Sequence, residues 1–440
     1  MPSDWKEIRL GDVIKVEHGW PFKSEHFSTE LTGKPIVVSI GNFVYTGGFR
    51  FDSSEVNEYR DSFPERFLLQ GGDVLLVMTC QTDGGEILGI PARIPDDGRR
   101  YLHNQRMGRV VLKEPDQVSR DFLYYVFLWR EFNEELVASS SGTKIKHTAP
   151  SRIEAFKFQL PPLNEQKAIA DALSALDRKI ELNRRMNRTL EHMVATLFKS
   201  WFVDFDPVVA KAAGRTPYGM DDATTALFPD GFEESELGPI PRGWKVESLD
   251  RTAEFLNGLA MQKFPARSGE ESLPVIKIAE LRAGSSTGAD RASRDVPKEY
   301  VVDTGDLLFS WSGSLVVDIW TGGKGALNQH LFKVTSEKWP KWFVYRWLLE
   351  HLPDFQGTAA DKATTMGHIR RHHLSEAKVI LPTSELIDEA SRICGPWLEK
   401  RIANSLEIES FATLRDKLLP ELLSGEIRLS DAEKQVSKVL

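Results

Sequence analysis

The sequence predicts an α+β protein with two similar halves, each a mixed α/β globular module followed by a long helix. Three observations lead to this prediction. Landmark residues recur in the same order in both halves, short β-rich runs fill the first part of each half, and a heptad pattern typical of paired helices follows. We expect the two helices to pair with each other as an antiparallel coiled coil, with a pseudo-twofold relation between the halves.

The repeat consists of short motifs that keep their order along the chain. The matched motifs, first half before second half, are Trp5-Lys6 and Trp244-Lys245, Gly19 and Gly258, Gly72-Asp73 and Gly305-Asp306, Asn104-Gln105 and Asn328-Gln329, and Leu160-Pro161 and Leu381-Pro382. The separation within a pair shrinks from 239 residues at the first pair to 221 at the last. This stepwise decrease is expected if loops of different length connect a retained framework.

Changes in composition divide the chain into six segments. The segments are residues 1–161 (first module), 162–202 (first long helix), 203–241 (linker), 242–382 (second module), 383–426 (second long helix) and 427–440 (C-terminal tail). Each module carries β-rich runs and one helical stretch, Arg120 to Leu136 in the first and Lys341 to Leu352 in the second. The linker is rich in Gly, Pro and acidic residues, but large apolar side chains such as Phe205 and Phe228 indicate an ordered segment.

Residues of the first long helix follow a heptad pattern. Spacings of four and three residues place one set on a common seam, namely Leu176, Ile180, Asn183, Asn187, Leu190, Leu197 and Trp201. Residues 163–202 as one helix would be ~60 Å long at ~1.5 Å per residue, so the seam needs a partner helix. Polar side chains such as Asn183 and Asn187 within a seam fix register and partner choice, unless they only line a local water-filled gap.

The second long helix is less regular than the first. Leu414 and Leu418 keep helical spacing, but Gly395-Pro396 is expected to break or kink the helix near its start. The simplest arrangement pairs the two long helices within one chain. The alternative is that each helix pairs with a different chain.

Composition excludes several classes of protein. The chain has 440 residues, 41% of them hydrophobic and 27% charged, which suits two or three domains and excludes a disordered or fibrous chain. Its two cysteines lack CxxC spacing, which excludes a disulfide scaffold. The longest apolar run, Phe122 to Trp129, is far shorter than the roughly 20 residues of a membrane span, and no signal sequence is present, so we expect a cytoplasmic protein. The net charge of −8 comes mainly from the linker, so composition permits DNA binding without predicting it.

Motifs for catalysis are missing from the sequence. It has no Walker A loop, GxSxG, HExxH or Rossmann GxGxxG, and it lacks the Asn/Asp-Pro-Pro-aromatic tetrad of adenine methyltransferases. Asp354, Glu376 and Lys378 have the spacing of a metal-dependent nuclease site, but the first half lacks an equivalent. His372-His373 cannot chelate one zinc ion without a third element. We therefore predict no catalytic residues and no metal ligands.

Polar residues suited to DNA recur at equivalent places in the two halves. Asn and Gln can bind adenine through two hydrogen bonds in the major groove, and basic clusters before each long helix suit phosphates. The alternative is a turn cap for the Asn-Gln pairs and an ordinary solvated face for the basic clusters. The residues predicted to contact DNA are Asn42, Gln81, Asn104, Gln105, Lys144, Lys146, Ser312, Asn328, Gln329, His330, His368, Arg370 and Arg371.

Four stretches of the sequence resemble a known family. LPPLNEQKAIADALSALDRKIELNRRMNRTLEHMVATLFKSWFVDFDPV resembles the central conserved region of type I restriction-modification specificity subunits, and LRDKLLPELLSGEI resembles their distal conserved region. HGWPFKSEHF and GTKIKHTAPSRI resemble elements that bound the first target recognition domain of that family. Together these stretches extend from one end of the chain to the other.

The resemblance implies a non-catalytic subunit for DNA recognition. Two target recognition domains, residues 1–161 and 242–382, would each read one half of a bipartite site in double-stranded DNA. The paired helices would act as a ruler and would dock two methyltransferase subunits. S-adenosylmethionine, ATP and Mg²⁺ would be bound by the methyltransferase and restriction/translocase subunits, so this chain would hold no cofactor. The resemblance does not assign base-contacting residues in this sequence, because recognition domains of this family vary where they touch bases.

Two other functions compete with this interpretation. A helical scaffold or adaptor without DNA readout would use the recurring modules to bind protein or peptide. A nuclease of the PD-(D/E)xK kind would use Asp354, Glu376 and Lys378. The specificity subunit is favoured because it explains the duplication, the heptad helices and the missing active site together.

Overall fold

The computed structural model describes residues 5–80, 82, 84–142, 145–361 and 367–437. The chain divides into two compact units, one made of Met1–Arg178 and Phe411–Leu440 and the other of Lys179–Ser410. Each unit contains one mixed α/β module and segments of both long helices, which confirms the predicted α+β class. Among the described helices, none has the length and apolar composition that crossing a membrane requires.

The first module is built from short strands and short helices. Its strands are β1 (Lys6–Arg9), β2 (Ile14–His18), β3 (Phe27–Ser28), β4 (Ile36–Val37), β5 (Glu58–Tyr59), β6 (Leu68–Leu69), β7 (Val74–Val77), β8 (Thr79–Cys80), β9 (Pro91–Arg93), β10 (Tyr101–Leu102), β11 (Met107–Leu112), β12 (Lys146–His147) and β13 (Lys157–Leu160). Its helices are α1 (Leu10–Val13), α2 (Arg120–Leu128), α3 (Arg130–Ser139) and α4 (Pro150–Ala155). The sequence predicted one helix across α2 and α3, but the extended backbone of Trp129 separates them.

The first long helix and the segment after it form the next part of the chain. Helix α5 (Leu163–Phe198) continues into one π-helical turn, Lys199–Val203. The predicted linker region then contains two short helices and a hairpin, which are α6 (Asp206–Ala212), α7 (Asp222–Ala226), β14 (Phe232–Ser235) and β15 (Gly238–Pro241). Trp201 and Phe228 are buried with their rings in contact at 5.2 Å between centroids, so large apolar side chains do order this segment.

The second module and the second long helix complete the chain. The strands are β16 (Lys245–Ser248), β17 (Glu254–Asn257), β18 (Ser272–Ile276), β19 (Arg291–Ser293), β20 (Val301–Val302), β21 (Leu307–Ser310), β22 (Val317–Ile319), β23 (Gly325–Leu327), β24 (Leu331–Thr335) and β25 (Lys378–Leu381). The helices are α8 (Leu249–Thr252), α9 (Ile278–Ala283), α10 (Lys341–Asp361), α11 (Arg371–Glu376), α12 (Ser384–Leu423) and α13 (Leu429–Val436). Helix α10 extends nine residues beyond its predicted end at Leu352 and includes Pro353.

The two modules share one sheet topology. A four-stranded antiparallel sheet has the order β2-β11-β7-β9 in the first module and β17-β24-β21-β22 in the second. In a second sheet, β4 pairs with β10 in parallel and β10 pairs with β6 antiparallel, matched by β18-β23 and β23-β20. The first and last strands of each module in chain order also pair, β1 with β13 and β16 with β25. These matching strand orders confirm the duplication that the recurring motifs predict.

The long helices pair within the chain. In the second unit, the amide of Asn183 donates to Glu407 at 2.8 Å and that of Asn187 donates to Ser405 at 3.1 Å. The residue numbers of the partners in α12 fall as the residue numbers in α5 rise. The segments of α5 and α12 in this unit therefore run antiparallel, as predicted. The predicted seam residues Leu176, Ile180, Asn183 and Leu418 are buried, and Asn187, Leu190, Leu197 and Leu414 are partly buried.

The structure differs from the sequence analysis at two places in the helices, the expected break at Gly395-Pro396 and the position of Trp201. Helix α12 continues through Gly395-Pro396 without a break, because apolar residues on both sides are held by the core of the second module. Burial of Leu386, Ala390 and Cys394 there stabilises the helical backbone that a proline alone would disfavour. Trp201 lies beyond the end of α5 in the π-helical turn, and it packs in that same core.

A buried amide pair in the second unit generates a stability prediction. Asn404 is fully buried, and its Nδ2 donates to Oδ1 of Asn187 at 2.8 Å. The substitution Asn187→Leu leaves that buried donor unpaired, so we expect the free energy of unfolding to fall by about 1–3 kcal/mol. The double variant Asn187→Leu/Asn404→Leu removes both polar groups and should recover most of the loss, measured by chemical denaturation. A double variant less stable than the single one would contradict this account.

Candidate functional site

Each module brings separated polar residues together at one end of its four-stranded sheet. In the first module, β2 and β7 end where β11 begins, and the residues there line a cleft of about 580 Å³. The first polar cluster consists of His18, Thr79, Gln105, Arg106 and His147. The matching end of the second module holds the second polar cluster, which consists of Asn257, Ser312, Gln329, His330 and His368.

The same four chain segments form both clusters, and one of them is the strand end that carries His18 in β2 or Asn257 in β17. Thr79, just after β7, pairs with His147 in the segment before α4, and Ser312, after β21, forms a bridge with His368 before α11. The fourth segment is the turn that contains Asn104-Gln105 or Asn328-Gln329. The sequence predicted that the Asn-Gln motifs and the basic segments were equivalent in the two halves, and the structure places them side by side.

A glycine in each module allows the chain to pass against the Asn-Gln turn. A Cβ atom on Gly19 would lie 2.2 Å from the carbonyl carbon and oxygen of Asn104. A Cβ atom on Gly258 would lie 2.2 Å from the carbonyl oxygen of Asn328. Any side chain would therefore push the two segments apart, which gives a physical reason for the recurring glycines.

The asparagines of the two motifs act as turn caps. Oδ1 of Asn104 accepts a hydrogen bond from the Arg106 N–H at 3.3 Å, and Oδ1 of Asn328 accepts one from the His330 N–H at 3.2 Å. Asn328 is also buried. The role that the structure shows for the two asparagines is to hold the turn, and the adenine contact of their amides stays a prediction. The caps leave the exposed Gln105 and the half-buried Gln329 at the clusters.

Hydroxyl groups fix a histidine in each cluster. Thr79 Oγ1 lies 3.1 Å from Nδ1 of His147, and Ser312 Oγ lies 2.9 Å from Nδ1 of His330. In the second cluster, Trp311 Nε1 also donates to Asn257 Oδ1 at 2.8 Å and to the Gln329 carbonyl oxygen at 3.1 Å. These hydrogen bonds hold polar side chains in defined positions, which is the arrangement that selective recognition requires.

The remaining predicted DNA contacts fall into three groups. Asn42 is buried, and both ends of its amide bind the backbone of its own loop at Ser39 and Arg50, so we assign it a structural role. Lys146, Arg370 and Arg371 lie on or beside the segments that form the clusters, and both arginines are exposed. The predicted residues Gln81 and Lys144 lie outside the described residues.

Two partly buried arginines of α12 connect the helices to the modules, one in each unit. In the first unit, Arg415 Nη1 donates to Asp177 of α5 at 2.9 Å, and the Tyr125 hydroxyl of α2 donates to the same carboxylate at 2.7 Å. Burial and the Asp177 charge raise the pKa of Tyr125. In the second unit, Arg401 donates to Asp318 of β22 at 2.5 Å and lies 3.6 Å from Glu191 of α5. We call the contacts of Arg415 and Arg401 with these carboxylates the arginine clamps, and the sequence patterns did not predict them.

The nuclease interpretation loses support from the geometry. Among the described residues, the group of three side chains close enough to hold a metal ion is His372, His373 and Glu376, which does not include Asp354. Nδ1 of His373 already accepts the backbone N–H of Arg370 at 3.0 Å, so metal binding through Nε2 would require the opposite tautomer. The Lys378 ammonium pairs with Glu236 at 3.3 Å.

A buried histidine supports the turn of the first cluster. His103 precedes Asn104, is 2% exposed, and donates from Nε2 to the Met107 carbonyl oxygen at 2.9 Å. Burial lowers the pKa of His103 from 6.5 to about 4, and the hydrogen bond to Met107 offsets only part of this effect. The imidazole is therefore neutral at pH 7.

Comparisons with known proteins agree on one kind of protein. A type I restriction modification DNA specificity domain matches residues 2–192. The chain is 25% identical to the HindI specificity subunit of Haemophilus influenzae over 97% of this chain and all of that protein. It is 25% identical to the MjaIX specificity subunit of Methanocaldococcus jannaschii over 74% of this chain and 73% of that protein. The fold resembles the S subunit of a type I restriction-modification system from M. genitalium, with a TM-score of 0.56, 16% identity, and coverage of 95% and 96%.

The close approach at Gly258 generates a mutational prediction. We expect Gly258→Ala to reduce the stability of the chain by about 1–3 kcal/mol, because the new Cβ overlaps the Asn328 carbonyl. Gly357→Ala in α10 is the matched control, since no atom lies within 4 Å of its Cβ position, and it should be neutral or stabilising by about 0.5–1 kcal/mol. Thermal unfolding of both variants checks this, and equal effects would contradict it.

The pKa of His103 generates a pH prediction. Its folded-state pKa is lowered, so unfolding takes up a proton between pH 6.5 and about 4. Stability is therefore fully present above pH 6.5 and falls as the pH drops through this window. His103→Gln keeps an N–H donor for Met107 but does not titrate, so its unfolding midpoint should vary less with pH in this window. Identical pH dependence of the two proteins would rule out this role.

Proposed function

We propose that this chain, which belongs to the family of type I restriction-modification specificity subunits, recognises a DNA sequence through its two modules. The observation that carries the proposal is the pair of matched polar clusters. Each cluster sits on the same rigid frame of strand ends and a capped turn, and each offers hydrogen-bond donors and acceptors. Donors and acceptors in fixed positions are what base edges in the major groove require.

The differences between the clusters support a bipartite target. The frame is repeated, but matched positions carry different side chains: His18 corresponds to Asn257, and Thr79 corresponds to Ser312. Two equal frames with unequal side chains suit two half-sites of different sequence, one for each module. Basic residues beside the clusters, such as Lys146 and Arg371, would contact phosphates and set the position of each module.

We propose that the chain itself is not catalytic. Two methyltransferase subunits would bind S-adenosylmethionine, and restriction/translocase subunits would bind ATP and Mg²⁺ in the full complex. Exposed apolar side chains on the long helices, Leu182 and Met193 of α5 and Leu406 of α12, support a protein partner there. These residues lie in helices whose seam residues are already paired within the chain.

Co-expression with the partner methyltransferase tests the proposed function. We expect sequencing of host DNA for modified adenines to show one bipartite motif, which is absent when this chain is omitted. Replacing residues 1–161 with the corresponding module of a relative should change one half of the motif and leave the other half unchanged. Replacing residues 242–382 should have the converse effect.

The rival functions predict other outcomes of the same experiment. A scaffold without DNA readout predicts a stable complex whose methylated motif does not respond to either module replacement. A nuclease predicts DNA cleavage that is lost when Asp354, Glu376 and Lys378 are substituted together. Either outcome would overturn the proposal.

A further inference from the structure

We propose that Arg106 reads a guanine in the DNA half-site bound by the first module. This inference rests on the proposed function and extends it to one residue and one base. The sequence predicted DNA contacts at Asn104 and Gln105, and the structure adds the next residue, Arg106, as a candidate. Three properties of Arg106 carry the inference. Its backbone is anchored, its guanidinium group has no hydrogen-bond or ion-pair partner among the described residues, and it belongs to the first polar cluster.

The backbone of Arg106 is held on both sides. Its N–H donates to Oδ1 of Asn104 at 3.3 Å, and its carbonyl oxygen accepts the N–H of Met78 at 2.9 Å. The preceding residue, Gln105, donates its N–H to the Trp20 carbonyl oxygen at 3.0 Å. A side chain that starts from a fixed backbone loses less conformational entropy on binding than one on a free loop.

The guanidinium group of Arg106 makes no hydrogen bond or ion pair within the part of the chain that the structure describes. Three other arginines of the module are engaged: Arg109 pairs with Asp73 at 3.3 Å, Arg93 with Asp121, and Arg99 with Asp97. Arg106 is exposed and lines the cleft beside Thr79 and His147. All five N–H donors are therefore available to a ligand in this cleft.

The chemistry of a free, well-anchored guanidinium favours guanine. In the major groove, guanine presents two acceptors, O6 and N7, whose spacing matches two N–H groups of arginine. Adenine presents one acceptor and one donor, so the second N–H of the fork would face another donor. At the matched position the second module has His330, whose Nδ1 is bound to Ser312, so the second half-site is not expected to share this requirement.

The alternative role for an exposed arginine is a phosphate contact, and the two roles have different consequences. Loss of a phosphate contact weakens binding to all sequences to a similar degree, whereas loss of a base contact relaxes the preference at one position. A lysine can replace arginine at a phosphate as a point charge, but it cannot reproduce the planar two-point contact with guanine. These differences define the experiment.

The test compares methylated motifs in cells that express the methyltransferase with wild-type chain, Arg106→Ala or Arg106→Lys. The half-site of the first module is assigned by replacing residues 1–161. We expect a required guanine in that half-site of the wild-type motif. Both variants should methylate sites with other bases at that position, and their preference for guanine should fall about tenfold or more. The second half-site should stay unchanged, and His330→Ala, the matched control, should leave the first half-site unchanged.

Each other outcome decides against the inference. If both variants keep the motif and methylation falls uniformly, Arg106 contacts phosphate. If the wild-type half-site contains no required guanine, or if Arg106→Lys keeps the wild-type preference, the base contact is wrong while the proposed function stands. If the wild-type chain directs no motif although it assembles with the methyltransferase, the proposed function itself fails. Co-purification with the methyltransferase shows that each variant is folded.

Discussion

The burial of the long helices' apolar faces is the constraint on which the rest of the structure depends. A helix the length of α5 or α12 cannot leave a continuous apolar seam in water, and each unit buries its share against the other helix and its own module. Residues such as Leu176 and Leu418 are fully buried in the first unit, and the Asn187–Asn404 pair lies in the second. Because both helices contribute to both units, neither unit has a complete core without them.

The arginine clamps convert this packing into defined module positions. Apolar contacts alone tolerate small shifts along a helix, whereas Arg415 and Arg401 each require a carboxylate on α5 at one place. A third group, Tyr125 or Asp318, binds the same network from the module. Removing one partner would leave a partly buried charge uncompensated, which destabilises the fold. Within each unit, the module is therefore held against the helices by directional interactions as well as by packing.

The sequence predicted the features that local patterns encode. Heptad spacing located the helices, and the recurring motifs located the equivalent turns at Asn104 and Asn328. Features that depend on tertiary context were not predictable. Gly395-Pro396 looked like a helix break because local propensity disfavours it, but burial in the second unit overrides that preference. Arg106 was missed because an arginine's availability depends on which carboxylates surround it in space, and no spacing in the sequence reports this.

The architecture separates the residues needed for folding from those available for recognition. Gly19 and Gly258 are fixed by close backbone approach, and the two asparagine caps are fixed by the turns that they close. The side chain of the residue after each Asn-Gln pair closes no turn: the Arg106 guanidinium makes no hydrogen bond in the described part of the chain, and the His330 ring bonds to the Ser312 hydroxyl. Arginine can occupy that position in one module and histidine in the other without any change in strand order. A frame of this kind allows one half-site to change while the fold and the other half-site are preserved.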